Sequence, residues 1–478
     1  MTKKILYRMF CILLSLMFTL NANSQVAGNS SATNATAKNL ITLDWSRTAQ
    51  EIDGFGASGA FHMAADLMNF PEPQRSQILD ILYSQEKGAG LSVVRNFVGD
   101  GGSWGSPTNG PSPSIEPQEG VWNWSGDEDE IWLMREAGKR GATRYVSTVW
   151  SPPAWMKDNN NVIGGHLRPD KYQAFAEYLS MYVRGYKEHH GIDIWAISLA
   201  NEPDITVKYS SCYWTGKEFH DFLKVLIPVF ERDKIMAKVI VGEHSAWTEN
   251  PVLESLADSV TAARVDIVGV HAYGTADKGA FPPISQRSGP LVETLHHKKK
   301  IWQTEAANLG ANFSDIHDGI YWAKIIHTHV AQNNTSGWCY WWAVSPYPNG
   351  GSLVHMNKDN TFTFDKRLFT IGNYSRFVKP GFFRIPLEAE FAPGVLVSAY
   401  KNQSQNQLVI VAINENDNNK DLELSLAGIN AASALPWRTS SSEDLAGLPN
   451  IEIRENILKA TLTPASVTTY VIKVTPVK

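Results

Sequence analysis

Two short segments each run from an apolar, β-type stretch into a glutamate: Ser198-Leu199-Ala200-Asn201-Glu202-Pro203 and Trp302-Gln303-Thr304-Glu305. Two carboxylates about 5 to 5.5 Å apart suit displacement at an acetal carbon with retained configuration, one attacking carbon while the other gives and takes the proton. At that spacing like charge and partial burial keep one carboxyl protonated near neutral pH. Further polar and aromatic residues follow β-type runs in the same manner: Arg95, then Asn96 and Asp100; Trp150-Ser151-Pro152-Pro153-Ala154-Trp155; His271-Ala272-Tyr273; and Trp341-Trp342. Together these would line a pocket with hydrogen-bond donors and flat faces. A lone glutamate is most often a solvated carboxylate and a lone tryptophan as often core as site. The 16 tryptophans of the chain nonetheless exceed what a core requires, which fits stacking of flat ligands such as sugar rings.

These residues need elements that bring distant segments to one place. Runs at 52–58, 92–97, 144–150, 194–200, 238–242, 267–271, 300–304 and 337–342 read as strands, with helical patterns between them such as 73–86, 171–189, 215–232 and 317–332. Eight strands alternating with helices predict an α/β fold, a (β/α)8 TIM barrel whose working residues sit at the C-terminal ends of the strands. After Pro380 the texture changes to alternating runs at 395–400, 407–414, 421–426, 458–462 and 467–474 with Asn/Asp turns. That is a C-terminal β-sandwich, completed by an early strand at 40–45. The expected division is a signal peptide at 1–24, a flexible lead-in at 25–38, the early strand segment at 39–50, the catalytic barrel at 51–381 and the sandwich at 382–478.

The signal-peptide reading rests on Lys3, Lys4 and Arg8 before an apolar run from Met9 to Leu20, then Ala22-Asn23-Ser24. The run is too short for a bilayer span of about 20 residues. The expectation is a secreted protein, exported through the inner membrane to the periplasm or the exterior and free of the membrane after cleavage. With 43 Lys+Arg against 48 Asp+Glu the net charge is −5, so nucleic acid is not expected as a partner. Of three cysteines Cys11 lies in the signal, leaving Cys212 and Cys339, whose spacing matches no zinc pattern. Gly54 to Gly59 fits G-x-G-x-x-G, but the paired mononucleotide-binding halves are absent, and an opening barrel strand packs closely on small residues. His189-His190 and His296-His297-Lys298-Lys299-Lys300 fall on the helix-to-strand side and read as solvated faces. No H-E-x-x-H run occurs.

Several runs are similar to glycoside hydrolase family 30: Gly54-Phe55-Gly56-Ala57-Ser58-Gly59, Trp150 to Lys157, Asn201-Glu202-Pro203, His271-Ala272-Tyr273-Gly274, Trp302-Gln303-Thr304-Glu305 and Phe377-Val378-Lys379-Pro380-Gly381. The resemblance covers nearly all the chain after the signal. It implies a barrel plus sandwich, with Glu202 as general acid/base and Glu305 as nucleophile. It further implies Asn201 on the sugar 2-hydroxyl, Tyr273 orienting the nucleophile, and Arg95, Trp150 and Trp342 lining the same subsite; His271 is a further candidate substrate contact. No metal or organic cofactor is implied, and the partner is a β-linked polysaccharide or oligosaccharide. The stretch from Trp150 to Asp204, including Leu167-Arg168-Pro169-Asp170-Lys171-Tyr172, most resembles the endo-β-1,4-xylanase branch. Members that require glucuronic acid groups read them with an Arg after the seventh and eighth strands, whereas 306–310 and 343–347 contain none. Unsubstituted xylan or another β-linked glycan, such as a β-1,6-glucan or β-1,6-galactan, therefore remains open, as does a binding protein without turnover. The long loop 99–120 carries Trp104, assigned to a distal sugar subsite.

Overall fold

The computed structural model describes residues 40–102, 112–205, 207–277, 279–310 and 313–477. Trp104, the signal segment and the lead-in lie outside these. Eight parallel strands follow one another around a barrel: β1 (Gly54–Ser58), β2 (Val93–Val98), β3 (Arg144–Val149), β4 (Ala196–Ser198), β5 (Lys238–His244), β6 (Ile267–His271), β7 (Lys300–Glu305) and β8 (Thr335–Ser345). Each pairs with the next, and β8 pairs with both β7 and β1, which closes the ring. Every residue of β1, β2, β6 and β8 is buried, as expected of strands covered on one side by helices and filled on the other by side chains.

The floor of the barrel interior is an apolar layer of Val93, Val146, Ala196, Ile240, Ile267, Trp302 and Cys339. Side chains alternate along a strand, so Arg95 and Thr148, two residues beyond Val93 and Val146, form the next layer toward the C-terminal mouth. The bond from Arg95 Nε to Thr148 Oγ1 (3.2 Å) confirms that they share it. Register shifts interrupt the pairing of β5 with β6 at Gly242/His244, of β6 with β7 at Val270/His271 and of β8 with β1 at Tyr340/Trp342. All three lie near the mouth, where bulges re-aim side chains.

The outer helices include Gln74–Tyr83, Glu128–Lys139, Tyr172–His190, Gly216–Arg232 and Ile316–His327. Gly216–Arg232 starts with a capping box: Glu218 N donates to Thr215 Oγ1 (3.2 Å), and Thr215 N donates to Glu218 Oε2 (2.7 Å). No helix among the described residues is long and apolar enough to cross a membrane. Cys212 and Cys339 are both buried free thiols, so no bridge joins them.

After the barrel, Phe382–Ile385, Val395–Asn402, Gln407–Asn414, Ser466–Lys473 and Ser433–Thr439 form an antiparallel sheet, edged by Glu51–Ile52. A second sheet of Ile41–Asp44, Lys420–Ala427 and Ile457–Leu462 packs on it over a core that includes Leu43, Ile410, Leu424, Leu458 and Tyr470. The early segment pairs in parallel with Lys420–Ala427, Ile41 opposite Leu424 and Asp44 opposite Ala427. Strand Ser433–Thr439 was not expected, because its Pro436 cannot donate to a ladder. Leu40–Lys478 form one compact unit, in which Asn373 beside the barrel and Thr469 of the sandwich bond reciprocally.

Candidate active site

Arg95 is the hub at the barrel mouth. Fully enclosed, it donates from Nη1 to Glu305 Oε2 (2.7 Å) and from Nη2 to both Asn201 Oδ1 and Glu243 Oε2 (2.8 Å each). Burial disfavours its charge, but Glu243 and Glu305 outweigh that and hold it cationic. Its guanidinium lies 4.6 Å from the ring centre of Trp150. That ring is only 2% exposed and also meets Phe61 and Phe97. Trp150 thus backs Arg95 rather than presenting a face to the cleft. Arg95 is itself buried, with its guanidinium spent on Glu305, Asn201 and Glu243.

Glu305 sits at the end of β7, with Oε1 accepting from the Tyr273 hydroxyl at 2.7 Å. Burial raises its carboxyl above the usual glutamate value, and the Glu202 charge adds to this; His271, Arg95 and the Tyr273 hydroxyl pull the other way. Glu202 follows β4 with a left-handed backbone (φ 44°), and its N–H donates to the Glu243 carbonyl at 2.8 Å. Strained backbone of this kind is kept where the surroundings over-determine it, as at active sites.

His271 ends β6 between the carboxylates. Its Nδ1 is 3.2 Å from Glu202 Oε1 and 4.0 Å from Glu305 Oε1, and its Nε2 is 3.6 Å from Glu243 Oε2. Burial favours the neutral ring, but Glu305, Glu202 and Glu243 together overcome it and push the imidazole up to about 10. It is fully buried, so it too reaches a ligand only through its neighbours.

One donor atom from each of Glu202, His271 and Glu305 lies within 4.8 Å of the other two. Such a trio could converge on a metal ion, but the Arg95 guanidinium, bonded to Glu305, already brings a positive charge to this cluster. Oxygens this close suit a retaining pair, whose carboxyl groups stand about 5 to 5.5 Å apart, better than an inverting pair, which stands about 6.5 to 9.5 Å apart to admit a water. The arrangement can therefore attack an anomeric carbon from one side and deliver a proton from the other.

Of the aromatic candidates, Trp341 and Trp342 stack on each other at 4.9 Å, and Trp342 lies 6.0 Å from Tyr347, which is exposed. Two residues at the mouth escaped the sequence reading. Glu243 did so because its strand read as ending at Gly242, and the fifth was one of two strands left without a candidate. Tyr209 lies in the loop after β4, half-buried, with its ring 5.8 Å from that of Phe61; burial and then the charges of Glu202 and Glu305 raise its hydroxyl. No periodic signal marks such a loop tyrosine.

Residues 52–357 match the family model described as Glycosyl hydrolase family 59. The chain is similar to two forms of glucuronoxylanase XynC from Bacillus subtilis. One is 30% identical over 366 residues, 75% of this chain and 80% of the relative; the other is 28% identical over 448 residues, 92% and 93% of the two. Its fold is similar to that of a glycoside hydrolase family 30 subfamily 8 xylanase, Xyn30A from Clostridium acetobutylicum, with TM-score 0.74 and 28% identity over 91% of this chain and 100% of that one. A family 30 xylanase C catalytic domain from Talaromyces cellulolyticus superposes with TM-score 0.77 at 26% identity, covering 90% and 99%. The chain thus belongs to the glycosyl hydrolases, and its relatives make it a family 30, xylanase-like glycoside hydrolase.

Proposed function

We propose that the protein is a secreted, retaining endo-glycosidase that cuts β-1,4-xylan by double displacement. The observation that carries this is the pairing of Glu202 and Glu305 within 4.8 Å at the ends of two strands, the second held by Arg95 and Tyr273. Glu305 attacks the anomeric carbon while Glu202 protonates the leaving oxygen; Glu202 then takes a proton from water, which releases the sugar with its configuration kept. Asn201, fixed by Arg95, turns its remaining amide group toward the 2-hydroxyl.

An unsubstituted chain is favoured over obligatory glucuronate. The segments 306–310 and 343–347 contribute no guanidinium, and Arg287, the arginine near them, is fully buried and bonded to Asn308 Oδ1 at 2.9 Å. The xylanase relatives support the backbone sugar. Export rests on the signal-like N-terminus, and N-terminal sequencing of the secreted protein should begin at Gln25.

Products from unsubstituted xylan, glucuronoxylan, β-1,6-glucan and β-1,6-galactan test the substrate; release only from a β-1,6-glycan overturns it. Glu305→Gln should lower kcat by at least about a thousandfold while leaving glycan binding intact. Proton NMR of the first product should show the β-anomer before mutarotation, and an α-anomer would refute the retaining assignment.

A further inference from the structure

Glu243 has no part in the displacement just described, yet no side chain at the mouth is more enclosed. Its position is the work of a bulge. Ile240 lies in the interior floor, so simple alternation would turn Gly242 inward and Glu243 out toward the helices. Instead Gly242 (φ 110°) and Glu243 (φ 53°) both adopt left-handed backbone where the pairing with β6 shifts register. The shift swings the Glu243 side chain inward over Gly269, where a Cβ would meet Glu243 Cγ at 2.7 Å. A non-glycine residue in that conformation is strained, and such strain gathers at functional sites.

We propose that Glu243 is a positioning residue of the hydrolytic site, holding Arg95 turned on Glu305 and Asn201 and facing His271 from the side opposite Glu202, while its carbonyl fixes the Glu202 backbone. The inference rests on the double-displacement reading. Glu243 touches neither sugar nor reacting atom. Its Oε2 accepts from Arg95 Nη2 at 2.8 Å and stands 3.6 Å from His271 Nε2, while its carbonyl accepts from Glu202 N at 2.8 Å. One residue thus reaches both working carboxylates by separate routes.

The charges require it. Arg95 from β2 and His271 from β6 face Glu243, with the Cys339 thiol of β8 in electrostatic reach; Glu202 and Glu305 lie beyond His271, and Tyr273 beyond Glu305. Three carboxylates therefore meet two cations. With Glu202 carrying the proton it must deliver, the cluster is balanced. Remove the Glu243 charge and that state carries an excess positive charge, so His271 gives up its proton more readily.

The experiment is Glu243→Gln in the full chain, with kcat and KM on a chromogenic β-xyloside oligomer across pH and 15N-histidine NMR of His271. We expect kcat to fall about a hundredfold, the low end of what a positioned acid or base contributes, with KM nearly unchanged. The His271 titration or the alkaline limb of kcat/KM should move to lower pH. If neither moves, Glu243 is only structural and the inference fails, whatever happens to kcat. Should the variant not fold, wild-type NMR decides: His271 must remain doubly protonated through neutral pH, and a neutral ring at pH 7 overturns the inference. Glu305→Gln in the same series separates the two readings, because retained turnover there sinks double displacement without touching the His271 result.

Discussion

At the scale of single residues, burial and charge divide labour between two glutamates that look alike in sequence. In the proposed double displacement Glu305 must be ionised to attack, yet burial raises its carboxyl. The acid limb of kcat/KM should accordingly lie above the ordinary glutamate value of about 4.3. Tyr273 donates to the ionised form, so Tyr273→Phe removes a bond that favours ionisation and should carry the acid limb to still higher pH. An acid limb that stays put in this variant would mean that the Tyr273 hydroxyl does not tune the nucleophile. Arg95 and His271 show the complementary lesson: side chains with zero exposure can be decisive because they act on their neighbours.

At the scale of elements, the barrel strands hold the chemistry and the helices keep them in register. The helix Gly216–Arg232 lies between β4, which leads to Glu202, and β5, which carries Glu243. Its capping box satisfies two backbone donors that would otherwise have no intrahelical partner, and Thr215→Ala should cost about 1 kcal/mol in chemical denaturation. Activity per folded molecule should be unchanged, since the Thr215 side chain bonds to Glu218 and not to the carboxylates at the mouth. The helices 171–189, 215–232 and 317–332 were legible because their apolar periods are long. The bulges were not, because a register shift depends on how two strands distant in sequence meet.

At the scale of the whole molecule, the sandwich is more than an appendage. One apolar cluster includes barrel residues such as Leu368, Ile371 and Tyr374 together with Tyr400, Val409, Val411 and Val467 of the sandwich. The edge strand Glu51–Ile52 leads directly into β1 and pairs with Phe382–Ile385. Cutting the chain after Gly381 would expose that apolar face, each large side chain forfeiting about 1.5 to 3 kcal/mol of burial. Residues 40–381 alone should therefore be insoluble or lose cooperative thermal unfolding; a soluble, fully active fragment would show that the sandwich is dispensable.

The sequence by itself determined the ring of eight strands, the early strand's return to the sandwich and the two glutamates at strand ends. Those features are local: apolar period sets the element, and the barrel rule then says which end of each strand carries function. What only the tertiary structure decided is which polar residues face inward and which aromatic faces stay open. Trp150 looks like a sugar platform in sequence and proves to be the backing of Arg95, while Glu243 looks like a residue just past its strand and proves to be turned into the barrel. The physical reason is the same in both cases. Side-chain direction at the mouth depends on bulges and on packing between strands far apart in the chain, and neither leaves a periodic mark in the order of residues.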